Sequence, residues 1–529
     1  MRRRDFLIAG SAAAAAGLHA TPGQAYVVEG NRKVLVFSGG QPVPVLDPHV
    51  KYDYSTRMMQ QSVYDALAKY VDNPPRIIPW LAKSWSTSPD GLTWTFHLVE
   101  NAKFHNGDPL DAEAVRFSYE RGLKLNKGVA WMLKDALDPA GIKAVDAHTV
   151  RFTLKRPFPG FLSFVPSWFI VNPKEVMAHQ ANDDYGQQYL TDHEAGSGPF
   201  RIRRWDAETV MNLAAVPDYW RGWPEGDAHR PGGVIYQVIR EPAPRKAALL
   251  RGQVDMVTDM TPQDYDELAK THGVNVSSNP GMTPFTIMLN TAQGPTADVN
   301  FRKALAWAID YQAFLQVENG AAKLLDSPFP NAMAGHIAVP DMPRHDLAKA
   351  RAYLAKTKWP NGGLSLDYVY VAGLEVERQL GLAVLASLQP LDIKVNVVAM
   401  PWPQLVARGT NPATAPAMLA VYVTPVSLDP DVVASQYTAS AAGSFWGMHH
   451  LSDPELDKMV AAARRETDQQ KRMAMYGDIQ KRIVADQPAI FGMMEDRRWA
   501  MRDDVRGFVF CPVRLTGEAD FYPMWIASK

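Results

Sequence analysis

The stretch 81–123 changes its hydrophobic period once, from two residues to 3.6, and that change restricts what it can form. Residues 93–98 alternate, with Trp94, Phe96 and Leu98 on one face and Thr93, Thr95 and His97 on the other. The cluster Ser88-Pro89-Asp90-Gly91 stands before them, so the spacing predicts a hairpin. Asn106-Gly107-Asp108-Pro109 marks a second turn. Asp111 is then placed to accept the first free N–H groups of a helix, whose Val115, Tyr119 and Leu123 fall at i, i+4 and i+8.

The later chain repeats this mixture of periods. Strands are expected at 364–371 and 393–398 with a helix over 375–388 between them, a βαβ unit with parallel strands and a right-handed crossover. A further strand is expected at 418–423, and helices at 347–356, 456–464 and 471–485. Upstream, 32–38 reads as a first strand, and 245–257 as a helix ended by Gly252 and followed by a short strand. Asp298 caps a helix carrying Phe301, Leu305, Ala308 and Ile309 on one face. With 529 residues the chain exceeds one core, so at least two domains are expected. A net charge of −1 argues against nucleic acid as the main partner.

Residues 1–25 read as a targeting segment. Arg2, Arg3 and Arg4 form a basic start, 8–18 is a short apolar and small-residue run, and Gly23-Gln24-Ala25 is a small-x-small cleavage site, so the mature chain is expected to begin at Tyr26. Arg3-Arg4-Asp5-Phe6-Leu7 resembles the twin-arginine signal. Cys511 is the single cysteine, so no disulfide forms within the chain and no cysteine after the signal offers a lipid anchor. No later run reaches about 18 apolar residues, so no membrane-spanning segment is expected. These features together predict a soluble periplasmic monomer.

Several ordered motifs add a family resemblance. They are Leu46-Asp47-Pro48, Val63-Tyr64-Asp65-Ala66-Leu67, Leu81-Ala82-x-Ser84-Trp85, Asp90-Gly91-x-x-Trp94-x-Phe96-x-Leu98, Lys103-Phe104-His105-Asn106-Gly107, Ala112-Glu113-Ala114-Val115-x-Phe117-Ser118 and Gly196-Ser197-Gly198-Pro199-Phe200. Over about 34–513 the chain resembles the peptide/nickel class of bacterial ABC-importer extracellular solute-binding proteins, the oligopeptide/dipeptide-binding family 5. Ala66 replaces the family's usual Gly, which suits a helix interior. The resemblance implies an α/β, two-lobed periplasmic-binding-protein fold of class II, cluster C type, with an extra subdomain in lobe I and a two-segment hinge. Carried onto this chain, lobe I would be 26–284 plus 508–529, with the extra subdomain at about 56–195, and lobe II would be 285–507. The crossing segments would fall near Pro284-Phe285-Thr286 and Arg506-Gly507-Phe508. The implied role is capture of a peptide or peptide-like solute between the lobes and its delivery to an inner-membrane ABC permease. A ligand sensor for a membrane receptor and an exported hydrolase on a bilobal scaffold are the alternatives.

The residues themselves offer little for catalysis. No His-Glu-x-x-His, Gly-x-Ser-x-Gly, P-loop or Gly-x-Gly-x-x-Gly occurs. Cys511 beside Pro512 reads as an inert thiol, and the pair His449-His450 would need further ligands from elsewhere to hold a metal. No catalytic residue, cofactor or metal is therefore expected. For the solute, Trp131 and Trp446 lie in loop-like stretches and could form apolar walls. The resemblance places Val426 where peptide-binding branches carry an Asp for the ligand's α-ammonium, with Asp429 a few residues on as a substitute or a turn residue. It also places Arg408 near the family's carboxylate-binding Arg, where a guanidinium could fork onto an acid.

Overall fold

The computed structural model describes residues 18–19, 28–29, 31–51, 53–423, 425, 427–513 and 519–527. Val426 and, apart from residues 18–19, the expected targeting segment lie outside the described residues.

The stretch 81–123 forms the elements its periods predict. Ala82–Thr87 and Thr93–Leu98 make a hairpin closed by Ser88 N–H donating to Thr93 O, and Thr93–Leu98 pairs on its other edge with Thr149–Leu154. Leu137–Asp146 completes a four-stranded antiparallel sheet. Trp94, Phe96 and Leu98 point into a core shared with Phe152, Phe161 and Tyr119, the last from helix Ala112–Leu125. Burying each such ring contributes about 1.5–3 kcal/mol. Asp111 caps that helix, accepting from Ala114 N–H at 3.0 Å.

A second, larger sheet runs through the whole molecule. On one side it holds, in order, Phe200–Asp206, Val210–Ala215, Gly233–Val238, Leu35–Gly39 and Met256–Val257; on the other, Met418–Tyr422, Leu364–Val371 and Ile393–Met400. The two sides are joined by the long antiparallel strands Val274–Leu289 and Ala489–Arg502. Residues 274–280 face 496–502, and 284–288 face 489–494, with the register slipping between Pro280 and Pro284. Neither proline has an N–H to give the ladder, so the slip sits where the pairing is weakest.

The second long strand corrects one expectation. It occupies Ala489–Arg502, ahead of Arg506-Gly507-Phe508, and Val505–Arg506 instead pairs with Trp525–Ile526. The run Glu495-Asp496-Arg497-Arg498 breaks the apolar pattern in the sequence, although the backbone pairs through it. Ala66 also departs from its expected place. Helix Tyr54–Val63 ends before it, and Ala66 bridges Phe169. The helix expected from 245 begins at Pro242, whose ring suits the first turn, and ends at Leu250.

The βαβ unit has the strand–helix–strand order and the parallel pairing read from the sequence. Leu364–Val371 and Ile393–Met400 are parallel, connected by helix Glu375–Leu388, and Gly381 lets that helix close on the Tyr368 ring.

Two family motifs prove to be buried anchors. Asp65 accepts from Trp80 Nε1 at 2.7 Å, Tyr219 OH at 2.8 Å, Trp220 Nε1 at 2.8 Å and Ser197 Oγ at 2.9 Å. Asp47 takes both terminal nitrogens of Arg121, at 2.9 and 2.6 Å, with both side chains buried. Each buried charge is thereby matched, as burial requires.

Candidate functional site

Trp131 and Trp446 are brought together, with ring centroids 6.5 Å apart. Trp131 lies in the single turn Gly128–Met132 after helix Ala112–Leu125, next to the four-stranded sheet. Trp446 lies in the loop after Ala439–Ala441, beyond strand Met418–Tyr422. Residues 315 positions apart thus meet where the two halves of the molecule face each other. The pair is the middle of a longer row of rings. Phe158 stacks on Phe164 at 5.7 Å and Phe164 meets Trp131 at 6.4 Å; on the other side Phe445 lies 4.8 Å from Trp446 and 5.1 Å from Trp402. Such a row gives broad, apolar, oriented surface for a solute. The Trp131 indole N–H is buried and makes no hydrogen bond within the described residues.

Phe158, Phe164, Phe445 and Trp402 were not expected at this site. Their signal in the sequence was the clustering of aromatic residues on both sides of each tryptophan, but core rings cluster in the same way.

Asp429 is buried and engaged. Arg472 donates to both of its oxygens, at 2.8 and 2.7 Å, and Asp431 N–H donates to Oδ1 at 2.9 Å. This is the turn role, with a buried ion pair to Arg472. Arg408 stands at the end of helix Trp402–Gly409. Its Nε donates to Thr414 O at 2.9 Å and Nη2 reaches Asp367 at 3.4 Å, so it ties the helix end to the adjacent strand. Neither residue is among the partners of the Trp131–Trp446 pair.

The histidines are held in place by backbone. Leu451 N–H donates to His449 Nδ1 at 3.0 Å, so Nε2 carries the proton and donates to Gln436 O at 3.0 Å. Burial lowers its pKa to about 3. His450 Nε2 donates to Gly409 O at 2.8 Å. His105 bonds Glu194 at 2.7 Å and Gly198 O at 2.9 Å. Burial acts to lower its pKa, and the Glu194 carboxylate outweighs that and raises it. Cys511 is buried against Tyr70 and Val513.

A mixed α/β molecule whose two halves share one sheet through two long strands, with aromatic side chains meeting between the halves, is a two-lobed solute-binding protein. The chain belongs to the bacterial extracellular solute-binding proteins, family 5, whose middle-region model matches residues 76–445. It is 29% identical to "Probable D,D-dipeptide-binding periplasmic protein DdpA" of Escherichia coli K12 over 494 residues, covering 91% of this chain and 92% of that protein. It is 27% identical to the glutathione-binding protein GsiB of Pectobacterium atrosepticum, covering 91% and 93%. Among solved structures, the substrate-binding protein CtaP of Listeria monocytogenes matches with a TM-score of 0.84 at 20% identity, covering 94% of this chain and 100% of that one. The periplasmic binding protein DppA of Helicobacter pylori, in complex with the peptide STSA, matches with a TM-score of 0.79 at 22% identity, covering 94% and 98%. The family consists of solute-binding proteins, so the chain is a binding protein and not an enzyme. No helix among the described residues is long and apolar enough to cross a membrane.

Proposed function

We propose that this protein captures a peptide-like solute between its lobes in the periplasm and delivers it to an inner-membrane ABC permease, acting as a monomer. The Trp131–Trp446 contact between the halves carries this reading, because it is the kind of surface that a solute would meet as the lobes close. We take lobe I as 26–284 plus about 497–529, with the extra subdomain at about 56–195, and lobe II as about 285–496, the second boundary moved forward from 507/508 because residues 496–502 pair with 274–280. Bending would be concentrated where the ladder slips, at Pro280 to Pro284 opposite Met494 to Asp496.

The solute is proposed to lack a free α-ammonium at the place where peptide binders hold one. Val426 stands at the family's Asp position, and Asp429 is already held by Arg472. An ammonium desolvated there without a partner costs on the order of 2–5 kcal/mol. At about 1.4 kcal/mol per tenfold, that is roughly 30- to several-thousand-fold in affinity. Arg408 would have to release Asp367 before it could hold an acidic group. The names of two relatives, a D,D-dipeptide binder and a glutathione binder, support a peptide-like solute. Titration of free and N-acetylated dipeptides, followed by tryptophan fluorescence, tests the reading. Tighter binding of the acetylated series is expected. Tight binding of free dipeptides that is lost on acetylation would overturn it.

Export is proposed to follow the twin-arginine route, on the strength of Arg3-Arg4-Asp5-Phe6-Leu7. Replacing Arg3 and Arg4 by Lys should leave the precursor in the cytoplasm, and normal periplasmic yield would contradict the route.

A further inference from the structure

Two buried donors on the aromatic row bond nothing within the described residues. The Trp131 indole N–H is one, and Nη1 of Arg156 is the other. Arg156 follows strand Thr149–Leu154, and its guanidinium carbon stands 5.8 Å from the centre of the Phe158 ring, where the row begins. From Phe158 the rings run through Phe164 to Trp131 and Trp446. Buried donors in folded proteins are as a rule paired, so two of them along one apolar surface point to acceptors that a solute brings.

Arg156 lies on a loop where the two halves touch. That loop continues to Gly160, whose backbone runs so close to Asp429 that a Cβ there would stand 2.7 Å from the carboxyl carbon. Asp429 belongs to the other half, beyond strand Met418–Tyr422. Both acids of this facing loop are already matched. Asp429 takes Arg472 on its two oxygens, at 2.7 and 2.8 Å, and Asp431 takes Arg464 Nε on its two, at 3.1 and 2.9 Å.

The electrostatics agree with that geometry. Burial, and then Arg464, act to lower the Arg156 pKa, and Asp431 and Asp135 offset only part of this. An anion placed beside Arg156 would supply both the missing acceptor and the missing charge. Arg408, by contrast, already has Thr414 O at 2.9 Å and Asp367 at 3.4 Å.

We propose that Arg156 holds a carboxylate of the solute, and that the Trp131 N–H donates to a second, neutral oxygen of the same molecule. The proposal rests on the solute-binding reading and deepens it: the solute is a peptide-like acid whose negative charge is met by Arg156 and not by Arg408.

The test uses the full-length mature protein and two probes, N-acetyl-glycyl-phenylalanine with a free carboxylate and the same peptide as its C-terminal amide. Affinities are read by calorimetry for wild type, Arg156→Gln, Arg156→Lys and Trp131→Phe, with melting temperature and circular dichroism as the folding check. Wild type should bind the acid about tenfold or more tighter than the amide, as one charged hydrogen bond gives. In Arg156→Gln the two probes should bind within about twofold of each other. Arg156→Lys keeps the charge without the planar fork and should keep only part of the preference. Trp131→Phe should weaken both probes alike and leave their ratio unchanged, whereas a change in the ratio would place Trp131 on the carboxylate and overturn its assigned part. Equal binding of acid and amide by wild type would overturn the anionic subsite while leaving the solute-binding reading intact. An acid preference that survives in folded Arg156→Gln would overturn it too, and if that variant does not fold, an undiminished preference in Arg156→Lys does the same. Binding of neither probe would overturn the subsite together with the reading of a peptide-like solute.

Discussion

At the scale of single residues, stabilising roles fall to buried carboxylates whose oxygens are matched by donors, charged at Asp47 and Asp429 and neutral at Asp65. Asp65 is the extreme case, with Trp80, Ser197, Tyr219 and Trp220 all donating to one carboxylate. Asp65→Asn would turn an –NH2 group toward one indole N–H and one hydroxyl; the hydroxyl can rotate to accept, and the indole N–H is left without an acceptor. Each such group costs about 1–3 kcal/mol. A loss of about 1–3 kcal/mol in chemical denaturation is therefore expected, and no measurable loss would contradict this assignment. His449 gives a pH prediction. Its folded pKa, about 3, lies below the ordinary 6.5 because burial penalises the charged ring. Its contribution to stability is thus present above pH 6.5 and is lost as pH falls toward about 3. Nitrogen NMR of the ring should show His449 neutral with the proton on Nε2 at pH 5, and titration near 6.5 would contradict it. The sequence singled out Trp131 and Trp446 because each lies in a loop-like stretch, and the structure brings the two rings together. It did not single out the rings that flank them: Phe158, Phe164, Phe445 and Trp402 join the row only through the packing of separate elements.

At the scale of elements, period and caps were the legible signals. The hairpin at 82–98, the Asp111 and Asp298 caps and the unit at 364–400 follow from local residues, because each has a strong periodic face and a defined stop. Long strands that carry charge were harder. Ala489–Arg502 contains Glu495-Asp496-Arg497-Arg498, and pairing along both of its edges, not apolar content, keeps it extended. Glycines at element boundaries offer a contrast that can be measured. A side chain at Gly196 would run into the Val63 carbonyl at the end of helix Tyr54–Val63, so Gly196→Ala should cost about 1–3 kcal/mol. Gly477, inside helix Gln469–Asp486, would place a new methyl 3.5 Å from Ile337, an ordinary contact. Gly477→Ala should therefore stabilise by about 0.5–1 kcal/mol. Equal effects of the two changes on the unfolding midpoint would refute the packing account.

At the scale of the whole molecule, one sheet passes through both halves, and two long strands carry it from one to the other. A joint of that kind allows the halves to approach and separate while each keeps its own core. The aromatic row from Phe158 to Trp402 is assembled from both sides of the joint, so it is complete only when the halves are together. Trp131→Ala should then weaken solute binding at least tenfold while the unfolding midpoint changes little, because the ring is only partly buried. Loss of stability without loss of affinity would make Trp131 a packing residue. The most direct test of closure is small-angle scattering on protein freed of solute by unfolding and refolding, before and after saturation with an N-acetylated dipeptide. The radius of gyration should fall on saturation, and an unchanged radius with solute bound would contradict capture by closure of the two lobes.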